Sequence, residues 1–279
     1  MNVGFLYTLI REEEKLILNE LRKTNENIIK IDDKSNKIKF DKKTINEYKN
    51  LDVVLIRSIS LRNALVWSKF FETIGVKTIN SYDCIKTCGD KYLTSLKLIE
   101  HDIPTPKTGV ALDEKSAIEL MKEIGFPCVI KPVTGSWGRM ISKINDVDSA
   151  KAILEHKKHL GSTHHNIYYI QEYIKKPGRD IRTIVIGDKV IGAIFRNSDD
   201  WKTNTATGAT TTLCNLNQEI IELSINAKRA VNGDIVSIDL LESDNGILVN
   251  EVNGVTEFRK SLKTYGIDIP KLMVDYILN

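Results

Sequence analysis

The sequence predicts an α/β (α+β) protein, and three observations lead there. Short continuous apolar runs alternate with amphipathic helical patterns over residues 3–79, which is how a parallel sheet covered on both faces reads. Later extended runs flank tight turns such as Gly187-Asp188, the position of a two-residue antiparallel hairpin. A chain of 279 residues can bury a sizeable core and divide into two or three domains.

Each element follows from its pattern. Residues 3–7 read as a strand and 12–23 as a helix with apolar Leu16, Leu18 and Leu21. Residues 53–56 form a strand, 62–74 a helix stopped by Gly75, and 76–79 the next strand. The charged stretch 32–43 reads as a loop or a short edge hairpin. One helix is expected over 81–101, ended by Pro104 and Pro106. A helix at 114–124, a strand at 127–132, a helix at 146–156 and a strand at 167–174 follow. Strands at 180–186 and 189–195 precede a polar tract, 196–212, too long to be an idle loop. A helix, two strands joined by a turn and a last helix at 269–278 complete the chain. The organisation expected is an N-terminal α/β domain at 1–85, a central domain at 86–174 and a C-terminal domain at 175–279.

Composition narrows the function classes. Hydrophobic residues make up 42% and charged residues 28%, as in ordinary globular proteins. With 40 basic against 37 acidic residues the net charge is +3, too balanced to suggest a nucleic-acid binder, though a local basic face could hold an acidic partner. No apolar stretch reaches the roughly 20 residues that span a bilayer, and residues 1–7 lack a basic n-region, so a cytoplasmic location away from membranes is expected. Cys84, Cys88, Cys128 and Cys214 form no C-x-x-C pair and read as reduced structural thiols. His156, His159, His164 and His165 lie in a polar stretch without an acidic or thiol partner, which favours a surface loop over a metal site.

Three clusters carry chemistry. Strand alternation points Glu251 and Asn253 to one face, and a neighbouring strand carrying Asp239 would bring two carboxylates and an amide oxygen together. Hard oxygen donors with room for phosphate suit Mg²⁺; the alternative is a hairpin with exposed polar residues. Lys131 ends an apolar strand before a loop containing Gly135, Ser136, Trp137, Gly138 and Arg139. Such a lysine can sit on phosphate oxygens while the glycines let backbone N–H groups close over them, or it can simply reach for solvent. Gln171, Glu172, Tyr173 and Ile174 end a strand whose backbone can face an adenine edge, and Asp180 could accept ribose hydroxyls; solvated edge charges are the other reading.

Taken in order, Asp90-Lys91, Ile103-Pro-Thr-Pro106, Val129-Ile-Lys-Pro132, Gly135-Ser-Trp-Gly138, Gln171-Glu-Tyr-Ile174, Asp180-Ile-Arg182, Asp239 and Glu251-Val-Asn253 resemble the ATP-grasp ligases over nearly the whole chain. Within them the chain is similar to the RimK-like branch and most similar to its LysX/ArgX group, which joins 2-aminoadipate or glutamate to the acidic amino-group carrier protein LysW. The resemblance implies an ATP-grasp fold behind a Rossmann-like pre-ATP-grasp domain. It implies Lys91 and Lys131 on the nucleotide phosphates, residues 135–141 as a lid, Gln171 to Ile174 and Asp180 around the nucleoside, and Mg²⁺ on Asp239, Glu251 and Asn253. Arg196 is implied at the reacting carboxylate as oxyanion stabiliser, with Asn204 by the nucleotide and Thr205 by the substrate; a structural salt bridge is the other role open to Arg196.

The implied reaction needs no Ser, Cys or His nucleophile. ATP converts an unreactive carboxylate into an acyl phosphate, which the amine of an amino acid attacks in a site closed to water. Phe258, Arg259, Lys260 and Ser261 are expected at the amino-acid pocket. LysX-like members show Asn-Ser or Asn-Thr at the positions of Lys260 and Ser261, and ArgX-like members Gly-Phe, so Ser261 favours 2-aminoadipate while Lys260 fits neither. One methylene separates the substrates by only ~1–3 kcal/mol, which keeps dual use open. A RimK-type modifier of a protein tail and a non-catalytic ATP switch are the rival readings. A homo-oligomer is compatible with the sequence.

Overall fold

The computed structural model describes residues 1–135, 138–159, 167–203 and 208–279, with Lys260 by its backbone alone. The first of three sheets contains β1 (Asn2–Tyr7), β2 (Asn27–Asp32), β3 (Val53–Arg57) and β4 (Lys77–Ile79), all parallel in the order β2-β1-β3-β4. Crossovers run through α1 (Glu12–Arg22), α2 (Lys42–Tyr48) and α3 (Leu61–Thr73). Ile17, Leu18 and Leu21 of α1 pack with Val3, Phe5 and Leu55, while Trp67 and Phe71 of α3 pack with Leu6, Val54 and Ile56. Strand alternation makes these opposite faces, so the sheet is covered twice.

One expectation holds in the main and one fails. Residues 33–41 are turn and loop as expected, between β2, which reaches Asp32, and α2, which begins at Lys42, capped by the Asp41 carboxylate accepting from the Thr44 N–H at 2.7 Å. β2 is an edge strand in which only Ile31 is buried, so it lacks the long apolar run that betrays a central strand. The helix expected over 81–101 is two helices, α4 (Tyr82–Cys88) and α5 (Lys91–Glu100). Asp90 restarts the chain as an N-cap, accepting from the N–H groups of Tyr92 and Leu93. Gly89 lies so close to Leu61 that a Cβ would meet its side chain at 2.3 Å.

The central sheet holds β5 (Thr108–Ala111), β6 (Cys128–Lys131), β7 (Ser142–Ile144) and β8 (Tyr168–Glu172), antiparallel in the order β5-β8-β6-β7. β5 and β7 were not expected; both are short and lack a long apolar run. Cys128, Ile130, Tyr168 and Ile170 pack under α6 (Glu114–Ile124) and α7 (Val147–His159). Alternation therefore turns Val129, Lys131, Tyr169 and Gln171 to the other face.

The third sheet comprises β9 (Arg179–Ile186), β10 (Lys189–Asn197), β11 (Thr210–Cys214), β12 (Ile235–Ser243) and β13 (Gly246–Asn253), antiparallel in the order β11-β10-β9-β12-β13. The ends of the polar tract 196–212 are thus strand: Arg196 and Asn197 belong to β10, and residues 210–212 to β11. Under α8 (Gln218–Ala230) lie Ile181, Val185, Val236, Ile238 and Leu240. On the opposite face Ile184, Ile194 and Ile235 join the core of α1 and α10 (Ile269–Leu278), whereas Arg182, Arg196, Asp180 and Asp239 leave that apolar core for the cleft. α9 (Leu262–Tyr265) lies between β13 and α10. All four cysteines are free thiols. Among the described residues no helix is long and apolar enough to cross a membrane, and no group of three His, Cys, Asp or Glu could hold a metal by itself.

Candidate active site between two antiparallel sheets

The polar faces of the central and third sheets, with the carboxyl ends of the parallel strands behind them, enclose a cleft of ≈ 1140 Å³. From the third sheet, Asp239 of β12 stands directly across from Glu251 of β13, and Ser237 across from Asn253. The pairing places these four on one face, as alternation demanded. Just past the Asp239–Glu251 pair the register breaks: Leu240 pairs with Val249, which leaves Asn250 as the extra residue of a bulge. Its side chain accepts a hydrogen bond from the Lys131 ammonium at 3.0 Å across the cleft.

Lys131, the last residue of β6, is buried and also donates to Gln171 Oε1 at 2.5 Å. Burial pushes its pKa down to about 8, against the pull of Glu251. Lys91 opens α5, where its N–H donates to the Val133 carbonyl at 2.8 Å. Its ammonium donates to the Gly135 carbonyl at 3.0 Å and pairs with Glu251 at 3.0 Å. Two lysines from one side therefore meet neighbouring residues, Asn250 and Glu251, on the other.

Arginines compensate the deeper carboxylates. Arg182, the register partner of Asp239 on β9, forks onto it at 2.7 and 2.9 Å, and Arg196 reaches the same carboxylate at 3.0 Å. Arg196 also forks onto Asp180 at 2.6 and 2.8 Å, and Thr203 donates to Asp180 as well. Burial opposes the charge on Asp239, but Arg182 and Arg196 outweigh it and hold the carboxyl well below the usual range. Burial likewise opposes the Arg196 charge, and Asp239 with Asp180 raise its pKa further above an ordinary guanidinium. Lys176 lies 3.8 Å from Asp180, its pKa lowered mainly by burial. Three carboxylates (Asp180, Asp239, Glu251) thus face five cations (Lys91, Lys131, Lys176, Arg182, Arg196), an excess of positive charge that suits a polyanion. Three buried polar atoms on these strands, Arg196 Nη1, Ser237 Oγ and Asn253 Nδ2, have no protein partner, as in a site built for a ligand.

The remaining candidates fall in different places. Gly135, Gly138, Arg139, Glu172, Tyr173, Ile174, Arg259 and Ser261 line the cleft. Tyr173 lies edge-on to Trp201 with ring centroids 6.1 Å apart, and the Lys143 ammonium sits 3.9 Å above its ring. Gln171 is committed to Lys131, and Glu172 accepts from the Lys107 N–H at 3.2 Å. Asp180, expected on a ribose, uses both oxygens on Arg196. Phe258, expected at the amino-acid pocket, is instead sunk in the core of α1 and α10, because a benzyl side chain gains more there than beside arginines. Ser136, Trp137, Asn204, Thr205, His164, His165 and the Lys260 side chain lie outside the described residues. Sequence reasoning gave no role to Asn250 or Lys176, nor to Arg182, although Arg182 stood in the motif Asp180-Ile-Arg182. Arg182 could have been found from its alternation with Asp180; Asn250 could not, since only the bulge turns it to Lys131.

This arrangement coincides with a family match. Residues 88–277 match the model of the RimK-like ATP-grasp domain, and residues 3–87 that of the LysX preATP-grasp domain. The chain belongs to the RimK-like ATP-grasp family. Within it, the chain is 38% identical to Glutamate–LysW ligase ArgX of Sulfurisphaera tokodaii, covering 99% of this chain and 98% of that protein. It is 36% identical to Alpha-aminoadipate–LysW ligase LysX of the same organism, covering 98% and 97%. The crystal structure of a RimK domain protein from Sphaerobacter thermophilus superposes over 100% of both chains with TM-score 0.79 at 20% identity, a likeness of fold. The ATP-grasp architecture expected from the motif order, with its pre-ATP-grasp unit in front, is therefore the architecture of this protein.

Proposed function

We propose that this ATP-grasp enzyme is an amino-acid–LysW ligase, forming an amide between the amino group of an acidic amino acid and the C-terminal glutamate side-chain carboxylate of a LysW-like carrier. The observation that carries this reading is the meeting of Lys131 and Lys91 with Asn250 and Glu251 across the cleft, beside the Asp239–Glu251 register pair. Full-length similarity to two proteins named as LysW ligases supports the carrier.

Mg²⁺ fits the donor set: Asp239, Glu251 and Asn253 offer hard side-chain oxygens from adjacent register positions on one face of the sheet. When bound, ATP and Mg²⁺ supply the phosphoryl group that activates the carboxylate and a cation that offsets its charge. The protein's own part is electrostatic. Lys91 and Lys131 are fixed by Gly135, Gln171 and Asn250, so they need little rearrangement to hold phosphate oxygens. Arg196, held by two carboxylates, keeps its Nη1 available to an oxyanion. Arg259 and Ser261 face the cleft where the side-chain carboxylate of the amino acid would lie.

The substrate we favour is 2-aminoadipate, on Ser261. Glutamate is the second reading, because identity to the ArgX protein is as high as to the LysX protein. ADP release from purified protein with ATP, Mg²⁺, LysW and each amino acid tests both. Turnover that requires carrier and amino acid together supports the ligase, and ADP release indifferent to both would refute it.

A further inference from the structure

Beyond the reacting centre, the short run after β13 is held from an unexpected direction. Four successive residues, 256–259, are each bonded to the start of α1 or the end of β3, from 199 to 246 residues earlier in sequence. The Thr256 carbonyl accepts from Arg57 Nη1 at 2.7 Å. The Glu257 carboxylate accepts from Arg11 Nη1 at 2.6 Å. The N–H groups of Phe258 and Arg259 both donate to one oxygen of Glu13, each at 2.9 Å. Arg57 is itself buried and locked onto Glu14 at 2.9 and 3.1 Å.

Acidic residues in a first helical turn usually only complement the helix dipole. Glu13 does something else. It is buried, lies on the cleft, and spends one oxygen on two consecutive N–H groups at the start of the 3-10 turn Arg259–Ser261. That turn carries Arg259 and Ser261 into the cleft while Phe258 anchors it in the core. A carboxylate on both amides sets where the turn begins, and hence where those side chains stand.

We infer that Glu13 is a positioning residue for amino-acid selection: the pre-ATP-grasp unit, through Glu13, sets the turn that presents Arg259 and Ser261 to the amino-acid substrate. The inference rests on the proposed ligase reading. Its consequence is a division of labour, with nucleotide held by the two antiparallel sheets and amino acid by a turn that the parallel sheet positions.

The test compares wild type, Glu13→Ala and Glu13→Gln, the last keeping one amide oxygen able to accept. Glu13→Ala should raise the KM for amino acid about tenfold, by removing two charge-assisted hydrogen bonds, with the KM for ATP within about twofold of wild type. Glu13→Gln should recover most of that loss. Hydrogen exchange in the full-length protein should quicken at residues 256–261 in Glu13→Ala and stay unchanged in β12 and β13. Should Glu13→Ala not fold, Glu13→Asp, one methylene short of the turn, carries the same expectations. Equal changes in both KM values, no change at all, or exchange that quickens throughout the chain would overturn the inference. Wild-type protein without turnover on any acidic amino acid and carrier would overturn the ligase reading with it, which separates the two failures.

Discussion

Lys131 gives the sharpest expectation, because its burial couples nucleotide binding to pH. The ligand-free protein holds this ammonium at a pKa of about 8 through burial, against an ordinary value of 10.5. A bound triphosphate supplies the negative charge that the pocket lacks and should restore the proton. Binding therefore takes up about half a proton at pH 8 and about nine-tenths at pH 9. The lowered pKa belongs to the free state, so affinity is full below pH 8 and weakens as pH rises through it, by about tenfold between pH 7 and 9. The same shift acts on stability with the opposite trend. The folded chain binds fewer protons than the unfolded one between about 8 and 10.5, so this lysine costs on the order of 3 kcal/mol below that window and the cost fades across it. Calorimetric titration with ATP in two buffers of unlike ionisation enthalpy measures the uptake. Lys131→Met should abolish the buffer dependence. Wild-type heats that are identical in both buffers at pH 8.5 would refute the account of Lys131.

Glu251→Ala should abolish ADP formation at a modest cost in stability, about 1–2 kcal/mol, because the Glu251–Lys91 pair is largely covered but opens onto the cleft; retained turnover would remove Glu251 from the metal set. Asp239→Asn should be costlier, since it strips the charge that compensates Arg182 and Arg196 in a buried site; a loss of about 3–5 kcal/mol in denaturant unfolding is expected. Because Asp239 is held below the usual carboxylate range, its contribution is complete above about pH 4 and disappears as pH falls further, so the wild-type and Asp239→Asn melting curves should converge in acid.

Much of this was legible before any coordinate. Parallel strands and the sharing of one face by Glu251 and Asn253 follow from local periodicity, and the hairpin at Gly187 from its turn residues. Asp239 facing Glu251 needed only the further premise that their strands pair. What tertiary structure alone decided are features set by contacts distant in sequence. The bulge that turns Asn250 onto Lys131 depends on where β12 and β13 lose register. The burial of Phe258 depends on α1 and α10 closing over it. The absence of a side chain at position 89 answers the approach of Leu61, and the hold of Glu13 on residues 258 and 259 joins segments far apart in the chain. A side chain's direction along a strand is local physics; the partner it meets there is a property of the closed fold.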